Sequence, residues 1–421
     1  MRTAPPLTSP DLLTVAEHRT AILAVTGALP AESVPLGEAA GRTLAHTVHA
    51  AVDVPRFDNS AMDGYAVLFT DVAAASPSDP VELRVIADLP AGSVDEPVLR
   101  PGFAARIMTG APVPRTATAV VPLEHTRDGL RSWNDAVVVE RAPARPGSHI
   151  RRRGEELRAG APVVPAGSLL GPLQLSAIAA SGVDAVSVTR RPRVAVVSTG
   201  SELAAPGTEV SRGRIPESNS VLLASLCRAT GAEIVAVSTV ADDDAIFAAR
   251  IDRAIHVDGA DVVVTSGGVS AGTHEVVRNV LAGRIAFRSV AMQPGRPQAF
   301  GVIDGTLVFG LPGNPASAAA SFEAFVRPAL LALQGRQSLT RPTLRVAVAA
   351  AWRSPTDREQ YVPVMLDRTD PGAWTARPAT VAGSSAGHPV AGLANADGYA
   401  VIPASVTVVS AGDLVDVALL P

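Results

Sequence analysis

Three short motifs rich in serine, threonine and glycine stand where the sequence predicts strands to end. They are STGSEL at 198–203, the Ser218-Asn219 pair that opens a predicted helix, and SGGVSAG at 266–272. Glycine lets backbone amides approach an anion closely, and a following helix N-terminus favours negative charge. Because ligands of an open parallel sheet bind beyond the carboxyl ends of its strands, the motifs predict one anion-binding cleft. A glycine pair after a strand can also be only a tight turn, and the spacing leaves that reading open.

Two further loops place proline and glycine around a polar residue, QPGRP at 293–297 and GLPGNPAS at 310–317. Proline rings fix φ and glycine adopts conformations closed to other residues, so both loops predict rigid backbone shaped for a ligand. For each loop taken singly, a β-hairpin turn is the alternative. The residues predicted to bind a ligand in these five motifs are Ser198, Thr199, Gly200, Ser218, Asn219, Ser266, Gly267, Gly268, Ser270, Pro294, Gly295, Arg296, Pro297, Pro312, Gly313, Asn314 and Pro315.

Carboxylates follow two of the predicted strand ends. The run Asp242-Asp243-Asp244 begins a predicted helix, and Glu275 is predicted to lie in the first turn of the helix after SGGVSAG. Acidic residues in a first helical turn often only complement the helix dipole. Two such groups at neighbouring strand ends could also hold Mg²⁺ against a phosphate, because Mg²⁺ prefers one or two carboxylates with phosphate oxygens and water. The sequence leaves both interpretations open.

Several other chemistries lack the residues they need. GVSAG at 268–272 fits the G-x-S-x-G hydrolase pattern, but its serine follows a glycine pair and does not stand directly at the strand end. The chain has no G-x-G-x-x-G fingerprint and no G-x-x-x-x-G-K-[ST] loop, which argues against dinucleotide binding and P-loop chemistry. Its eight histidines show no zinc-ligand spacing.

Composition limits the possible partners and the compartment. The 421-residue chain carries a net charge of −4, which argues against a nucleic-acid binder, and its basic run 151–153 is short enough to be a solvated turn. A single cysteine, Cys227, allows no internal disulfide. The first residues lack the apolar core of a signal peptide, and no apolar stretch reaches 18 residues. We therefore expect a cytoplasmic protein that binds neither membrane nor nucleic acid.

Changes in hydrophobic spacing and residue composition along the chain predict several domains. Helical spacing at 11–29 and 172–182 flanks a region, 50–155, of short valine-containing segments broken by proline and glycine. After residue 190, strands and helices alternate, which predicts a doubly wound α/β domain with a largely parallel sheet. Beyond about residue 340 the pattern is that of a small all-β domain. The fold class is therefore multidomain α/β plus β.

Taken together, the motifs resemble those of the molybdopterin molybdenumtransferase family, which includes the pterin-handling domain of gephyrin. The resemblance covers almost the whole chain and rests on long motifs in order, among them PRFDNSAMDGYA at 55–66, RIMTGAPVP at 106–114 and GSHIRRRGEEL at 147–157. It implies a small helical and mixed N-terminal domain of residues 1–49 with 156–190. A β-rich inserted domain at 50–155, an α/β pterin-binding domain at 191–338 and a C-terminal β-barrel-like domain at 339–421 complete the chain.

The resemblance also implies an elongated homodimer and a reaction. The site would lie between the α/β domain of one subunit and the first two domains of the other. Adenylylated molybdopterin and molybdate are the implied substrates, and molybdenum cofactor and AMP the products, with Mg²⁺ as cofactor. The positions that match functional residues of the family are Asp63, Thr109, Glu202, Asp242 and Glu275 as catalytic residues, of which Asp242 and Glu275 also bind metal, and Arg296, Ser384 and Ser385 as residues that face the molybdate.

The chain departs from the family pattern at four positions. Glu275 and Glu156 stand where aspartate is frequent, Gln293 where a basic residue is usual and Pro363 where arginine is often found. The last two remove positive charge from the expected oxyanion region. Two other functions fit the same domains: a pterin-binding scaffold without turnover, as in a gephyrin-like role, and a pterin adenylyltransferase. The sequence does not distinguish molybdate from tungstate as the metal source.

Overall fold

The computed structural model describes residues 12–127, 129, 135–269, 275–379 and 390–420. The helices are α1 Val15–Ala24, α2 Phe69–Val72, α3 Pro172–Ala180, α4 Asn219–Ala229, α5 Asp244–His256, α6 Val276–Leu281, α7 Pro315–Ser321, α8 Arg327–Leu333 and α9 Val390–Leu393, with a π-helical segment Phe322–Val326 joining α7 to α8.

The strands of the first half of the chain are β1 Ala31–Pro35, β2 Val48–His49, β3 Asn59–Ser60, β4 Gly64–Val67, β5 Val81–Leu89, β6 Phe103–Ile107, β7 Ala119–Pro122, β8 Ala136–Val139, β9 Ile150–Arg151, β10 Pro162–Val164 and β11 Ala185–Thr189. The remaining strands are β12 Arg193–Thr199, β13 Leu203–Ala204, β14 Ile215–Pro216, β15 Glu233–Val240, β16 Val262–Ser266, β17 Ala286–Ser289, β18 Met292–Gln293, β19 Pro297–Ile303, β20 Thr306–Leu311, β21 Thr343–Val348, β22 Trp352–Arg353, β23 Glu359–Asp367, β24 Thr375–Pro378, β25 Gly398–Ile402, β26 Val408–Val409 and β27 Leu414–Leu419.

The α/β region is built on a six-stranded sheet of order β15-β12-β16-β20-β19-β17. The first four strands run parallel, and β19 and β17 are antiparallel. Helices α4, α7 and α8 cover one face of the sheet, and α5 and α6 cover the other. The doubly wound, largely parallel sheet predicted from strand–helix alternation is confirmed. The antiparallel edge consists of β19 and β17, and the QPGRP segment lies in the connection between them.

Two β-rich units flank this region. A five-stranded sheet of order β7-β4-β6-β5-β8 buries apolar residues on both faces in the inserted domain. Past residue 340, strands β23, β24, β21, β27 and β25 close into a barrel through the additional pairing of β23 with β25. Closure leaves these strands without free edges. The β-barrel-like C-terminal domain expected from the sequence is confirmed.

The first helix does not pack with the small N-terminal unit. Residues 31–49 and 162–189 pair through β1 with β11 and β2 with β10, and they share one apolar cluster. Helix α1, which the resemblance groups with them, buries Val15 and Ile22 in the core of the α/β region. His18 of the same helix meets Phe325 edge-on at 4.7 Å. Helical spacing predicts an apolar face but not the surface which that face covers.

One helical run resembles a membrane span by length and composition. Pro315–Leu333 has a mean hydropathy of 1.3, but 83% of the window is buried inside the protein. The run is α7, the π-helical segment and α8 in succession, and its side chains form much of the α/β core. Its apolar character is therefore that of a core helix.

Gly64 is required by close strand packing in the inserted domain. A Cβ atom at this position would lie 2.0 Å from the carbonyl oxygen of Val121 on β7. We expect Gly64→Ala to force β4 and β7 apart and to lower the free energy of unfolding by about 1–3 kcal/mol. Gly27→Ala is the matched control, because nothing lies within 4 Å of its added Cβ. Chemical denaturation of both variants checks the expectation, and equal stabilities would contradict it.

Candidate functional site

The carboxyl ends of the central strands lie side by side. Ser198 at the end of β12 is in register with Ser266 at the end of β16, and Ser266 is in register with Leu311 at the end of β20. The three loops that follow these strands therefore leave the sheet at the same edge. They enclose a cavity of about 420 Å³. Its lining residues are Thr199, Gly200, Glu202, Leu203, Ile215, Asn219, Asp242, Gly267, Gly268, Val269, Glu275, Pro297, Pro312 and Gly313.

The glycine pair of SGGVSAG is needed for close approach between two of these loops. Gly267 has φ +96°, and a Cβ there would lie 2.5 Å from the carbonyl oxygen of Thr199. Gly268 has φ +63°, and its Cβ would lie 3.0 Å from the backbone nitrogen of Val277. The pair brings bare backbone to the wall of the cavity, which is more than a tight turn requires. This geometry suits the contact of a ligand with main-chain amides.

Asn219, the first residue of α4, links the segment after β12 to the loops that follow β16 and β20. Its Nδ2 donates to Ser266 Oγ at 2.7 Å and to the carbonyl oxygen of Gly313 at 2.7 Å. Its Oδ1 and Ser198 Oγ are buried without a hydrogen-bond partner in the described part of the chain. A buried acceptor without a donor is costly. Because Asn219 lines the cavity, a ligand N–H or O–H would satisfy this oxygen.

The start of α4 is capped by a residue that the sequence did not indicate. Ser218 occupies the N-cap position, but its side chain makes no capping hydrogen bond and is exposed. Glu217 instead accepts from the backbone nitrogen of Ser220 at 2.8 Å and from the Ser220 hydroxyl. Ser218 is also not among the residues that line the cavity. Its assignment as a ligand-binding residue stays a prediction.

Three carboxylate residues line the cavity, Glu202, Asp242 and Glu275. Asp242 Oδ2 accepts from the backbone nitrogen of Ser201 at 2.9 Å, and its own nitrogen donates to Ser201 Oγ at 3.1 Å. Helix capping is the role of its neighbour Asp243, which accepts from the nitrogen of Ile246 at 2.8 Å. The dipole interpretation therefore fits Asp243 and not Asp242.

Glu275 occupies the N-cap position of α6, one residue before the first turn predicted for it, and its side chain makes no capping hydrogen bond. A cluster of three or more metal-ligating side chains is absent from the residues that the structure describes. Asp242 and Glu275 both line the cavity, and two carboxylates suit Mg²⁺, which fills its remaining positions with phosphate oxygens and water.

The GLPGNPAS loop divides into a lining part and a structural part. Pro312 and Gly313 line the cavity. Asn314 caps α7, because its side chain accepts from the nitrogens of Ala316 at 3.0 Å and Ser317 at 3.2 Å. Pro315 is the first residue of that helix, a position that suits proline. The loop joins a strand to a helix, so the hairpin alternative does not hold for it.

The QPGRP loop is fixed by a buried polar residue that sequence reasoning missed. Gln298, 2% exposed, donates through Nε2 to the carbonyl oxygen of Gly295 at 2.6 Å and to Ser321 Oγ at 2.7 Å. Gly295 has φ +105°. Pro294 is buried, Pro297 lines the cavity, and Arg296 is exposed. A glutamine inside an otherwise apolar strand was the available signal for this anchor. The loop lies in the connection between the antiparallel partners β17 and β19, in which Ser289 is opposite Pro297 and the nitrogen of Val290 donates to the carbonyl oxygen of Arg296 at 2.8 Å. The hairpin alternative therefore holds for this loop in the form of a long hairpin connection, which Gln298 fixes from beneath.

Asp63 and Thr109 form a second polar site in the inserted domain. The antiparallel pairing of β4 with β6 sets Gly64 opposite Ile107 and so brings the two loops together. The backbone nitrogen and the hydroxyl of Thr109 donate to Asp63 Oδ1 at 2.7 and 2.8 Å. These bonds, the backbone one foremost, hold the pKa of Asp63 below its usual value, so its carboxylate stays ionised.

About half of the predicted site residues that the structure describes line the cavity of one chain. Asp63 and Thr109 are not among the residues that line it. Ser270, Ser384 and Ser385 lie outside the described residues, so their assignments stay predictions. Leu203 and Ile215, which the sequence reasoning did not select, supply apolar walls.

Comparison with known proteins gives a consistent family. Three sequence profiles match in order: MoeA N-terminal region (domain I and II) over residues 13–182, probable molybdopterin binding domain over 195–332, and MoeA C-terminal region (domain IV) over 345–420. Molybdopterin molybdenumtransferase 2 of Mycobacterium tuberculosis is 43% identical over 406 residues, covering 94% of this chain and 97% of that protein. Molybdopterin molybdenumtransferase of a Nostoc species is 37% identical and covers 93% and 89%.

Solved structures agree over the full length. The crystal structure of the molybdopterin biosynthesis MoeA protein of Pyrococcus horikoshii OT3 superposes with a TM-score of 0.82 at 27% identity, over 97% of this chain and 100% of that one. A second MoeA structure from the same genus gives a TM-score of 0.80 at 32% identity, over 97% and 99%. Sequence, domain order and fold thus agree, and the chain belongs to the MoeA family of molybdopterin molybdenumtransferases.

Proposed function

We propose that the protein inserts molybdate into the dithiolene of adenylylated molybdopterin and releases AMP in a Mg²⁺-dependent reaction. It is a transferase of molybdenum-cofactor biosynthesis, in line with its relatives. One observation carries the proposal. The strand-end loops, the unsatisfied Asn219 Oδ1 and two carboxylates, Asp242 and Glu275, converge on one cavity of about 420 Å³. This volume lies within the range of small-molecule sites.

The walls of the cavity suit a nucleotide bound to a pterin. Backbone at Gly267 and Gly268 approaches the ligand without side chains in the way, as a pyrophosphate group requires. Asn219 Oδ1 and the hydroxyl of Thr199 supply an acceptor and a donor for the uncharged parts of the ligand. The apolar side chains Leu203 and Ile215 offer surface to a ring.

Asp242 and Glu275 are the residues that would hold Mg²⁺ beside the pyrophosphate. When bound, the ion would neutralise phosphate charge and orient water for cleavage of the anhydride. The reciprocal hydrogen bonds between Asp242 and Ser201 restrict the movement of this carboxylate before any ligand arrives. Glu202 also lines the cavity and adds a further carboxylate that can order water. No protein nucleophile is required for the transfer.

The oxyanion would be held at the QPGRP loop. Gln298 and Ser321 keep this loop rigid, and its Pro297 reaches the cavity wall, so the loop joins the nucleotide site directly. Arg296, within the loop, is exposed and supplies positive charge. Holding molybdate next to the dithiolene raises its effective concentration, which is the main contribution the protein can make to insertion.

We further propose that the site is completed in a homodimer. Asp63 and Thr109 do not line the cavity of their own chain, although their geometry holds a carboxylate ionised. The N-terminal unit also exposes apolar residues, Leu169 at 45% and Leu173 at 81%, as expected of a contact surface. Asp63 of the partner subunit would then face the cavity.

The single cysteine agrees with the proposed compartment. Cys227, a buried thiol, is compatible with a cytoplasmic enzyme.

The two metal-site carboxylates give a direct test. We expect Asp242→Asn and Glu275→Gln each to lower the rate of AMP release from adenylylated molybdopterin, with Mg²⁺ and molybdate present, by about a hundredfold or more. Asp244→Asn is the matched control, because Asp244 belongs to the same acidic run but does not line the cavity. Thermal unfolding of all three should match that of the unmodified protein. Full activity of both site variants would refute the metal assignment, and absence of AMP release by the unmodified protein would favour a scaffold.

A mixed dimer tests whether the site is shared. In a dimer of one Asp63→Asn chain and one Glu275→Gln chain, a shared site places both changes in one cavity and leaves the other intact. We expect such a dimer, isolated with two affinity tags, to recover about half of the unmodified activity. Each homodimeric variant should remain inactive. A mixed dimer as inactive as its parents would show that Asp63 acts only within its own chain.

A further inference from the structure

Phe57 is the one exposed aromatic side chain in the described ranges of the chain. It is 43% exposed, whereas the other aromatic side chains of these ranges are buried or half-buried. A phenyl ring has no polar atom for water to satisfy, so free energy is gained when such a ring contacts a partner or a ligand. Phe57 belongs to PRFDNSAMDGYA, the motif that carries Asp63. The ring is therefore available to a molecule that binds beside this segment.

The residue that follows Phe57 holds the backbone of this segment in place. The Asp58 carboxylate accepts from the backbone nitrogen of Arg153 at 2.8 Å and from Nη1 of Arg152 at 2.6 Å. The carbonyl oxygen of Asp58 accepts from the backbone nitrogen of Val113 at 2.9 Å. A ring carried on a fixed backbone loses little conformational entropy when it binds, which favours its use in recognition.

Phe57 lies close to Asp63 along the chain. Six residues of extended chain span at most about 22 Å, and β3, Asn59–Ser60, lies between the two side chains. Asp63 does not line the cavity of its own chain, and the proposed dimer brings it to the cavity of the partner. The same dimer would bring Phe57 within about 22 Å of Asp63, and so into the neighbourhood of that cavity.

The cavity lacks the two kinds of side chain that this segment exposes. Its lining residues include three carboxylates, but neither an aromatic nor a basic side chain. Arg56, next to Phe57, is exposed and makes none of the ion pairs found among the described residues, whereas Arg152 is paired with Asp58. Adenylylated molybdopterin carries two heteroaromatic ring systems and a pyrophosphate. A ring and a cation from the partner would therefore complement an acidic cavity that binds a ring-bearing anion.

We infer that Phe57 and Arg56 of one protomer bind the substrate held in the cavity of its partner. The Phe57 ring stacks on a heteroaromatic ring of adenylylated molybdopterin, and Arg56 faces the phosphate groups. The inference rests on the proposed function, because it adds binding residues to the same shared site. Stacking uses the face of a ring and no particular pattern of hydrogen bonds, so it suits the pterin and the adenine alike. Phe57 is a binding residue and takes no part in cleavage of the anhydride.

A binding titration of the intact dimer, with Mg²⁺ and without molybdate, tests the stacking. We expect Phe57→Ala to weaken the affinity for adenylylated molybdopterin by about tenfold or more. Phe57→Tyr keeps the ring face and should bind nearly normally, whereas Phe57→Leu keeps only apolar area and should resemble Phe57→Ala. Ile86→Ala is the matched control, because Ile86 is an apolar residue of the same domain with 42% exposure. Unchanged affinity in Phe57→Ala, or full affinity in Phe57→Leu, would overturn the inference.

A parallel titration with AMP identifies the stacked ring. If adenine stacks on Phe57, Phe57→Ala weakens AMP binding as much as it weakens substrate binding. If the pterin stacks there, AMP binding is unchanged while substrate binding is weakened. Both results support the inference, and each assigns one ring to the aromatic side chain.

Two further measurements separate contact with the ligand from packing between subunits. Phe57→Ala should leave the dissociation constant of the dimer unchanged, and a weakened dimer would show that the ring packs on the partner protein instead. Arg56→Gln should lower the substrate affinity and reduce its dependence on salt; an unchanged salt dependence would remove Arg56 from the site. Because binding is measured without turnover, failure of the proposed function is seen separately, as a protein that binds the substrate but releases no AMP.

Discussion

The register of four parallel strands determines where the chemistry of this protein lies. Ser198, Ser266 and Leu311 are aligned across β12, β16 and β20, so three loops that are distant in sequence start at the same edge of the sheet. Asn219 connects them, because its side-chain amide donates to the Ser266 hydroxyl and to the carbonyl oxygen of Gly313. Buried polar groups of this kind are costly unless satisfied, which makes them specific. The hydrogen bonds of Asn219 therefore hold the loops that line the cavity in one arrangement.

Much of this arrangement was predictable from local pattern. Strand–helix alternation after residue 190 fixed the sheet, and strand ends in such a sheet must share an edge. The motifs that follow the strands supplied Thr199, Asn219, Gly267 and Asp242, all of which line the cavity. The motif resemblance implied functional roles for Asp63 and Thr109 but not their contact, which follows from the antiparallel pairing of β4 with β6.

The features that pattern could not supply depend on contacts between distant segments. Gln298 anchors the QPGRP loop because Ser321, far along the chain, lies beneath it. Glu217 replaces Ser218 as the helix cap because its carboxylate reaches both the nitrogen and the hydroxyl of Ser220. Helix α1 packs on the α/β core and not on the segments that follow it in sequence. The sequence could not show this, because hydrophobic periodicity identifies an apolar face but not the surface that the face contacts. The guanidinium that donates to Gln293 likewise comes from a distant segment, at Arg358.

The placement of α1 has a mechanical consequence. Because this helix belongs to the α/β core, the covalent chain enters the N-terminal and inserted domains just before β1 and returns just after β11. These two strands pair directly, with Ala31 opposite Thr189. The two chain connections between these domains and the α/β region therefore lie side by side. Arg190, directly after β11, donates two hydrogen bonds of 2.8 and 2.7 Å to Asp261 of the α/β region. A change of angle between the first two domains and the α/β region would therefore rotate the chain at these two connections, which the paired strands β1 and β11 hold together.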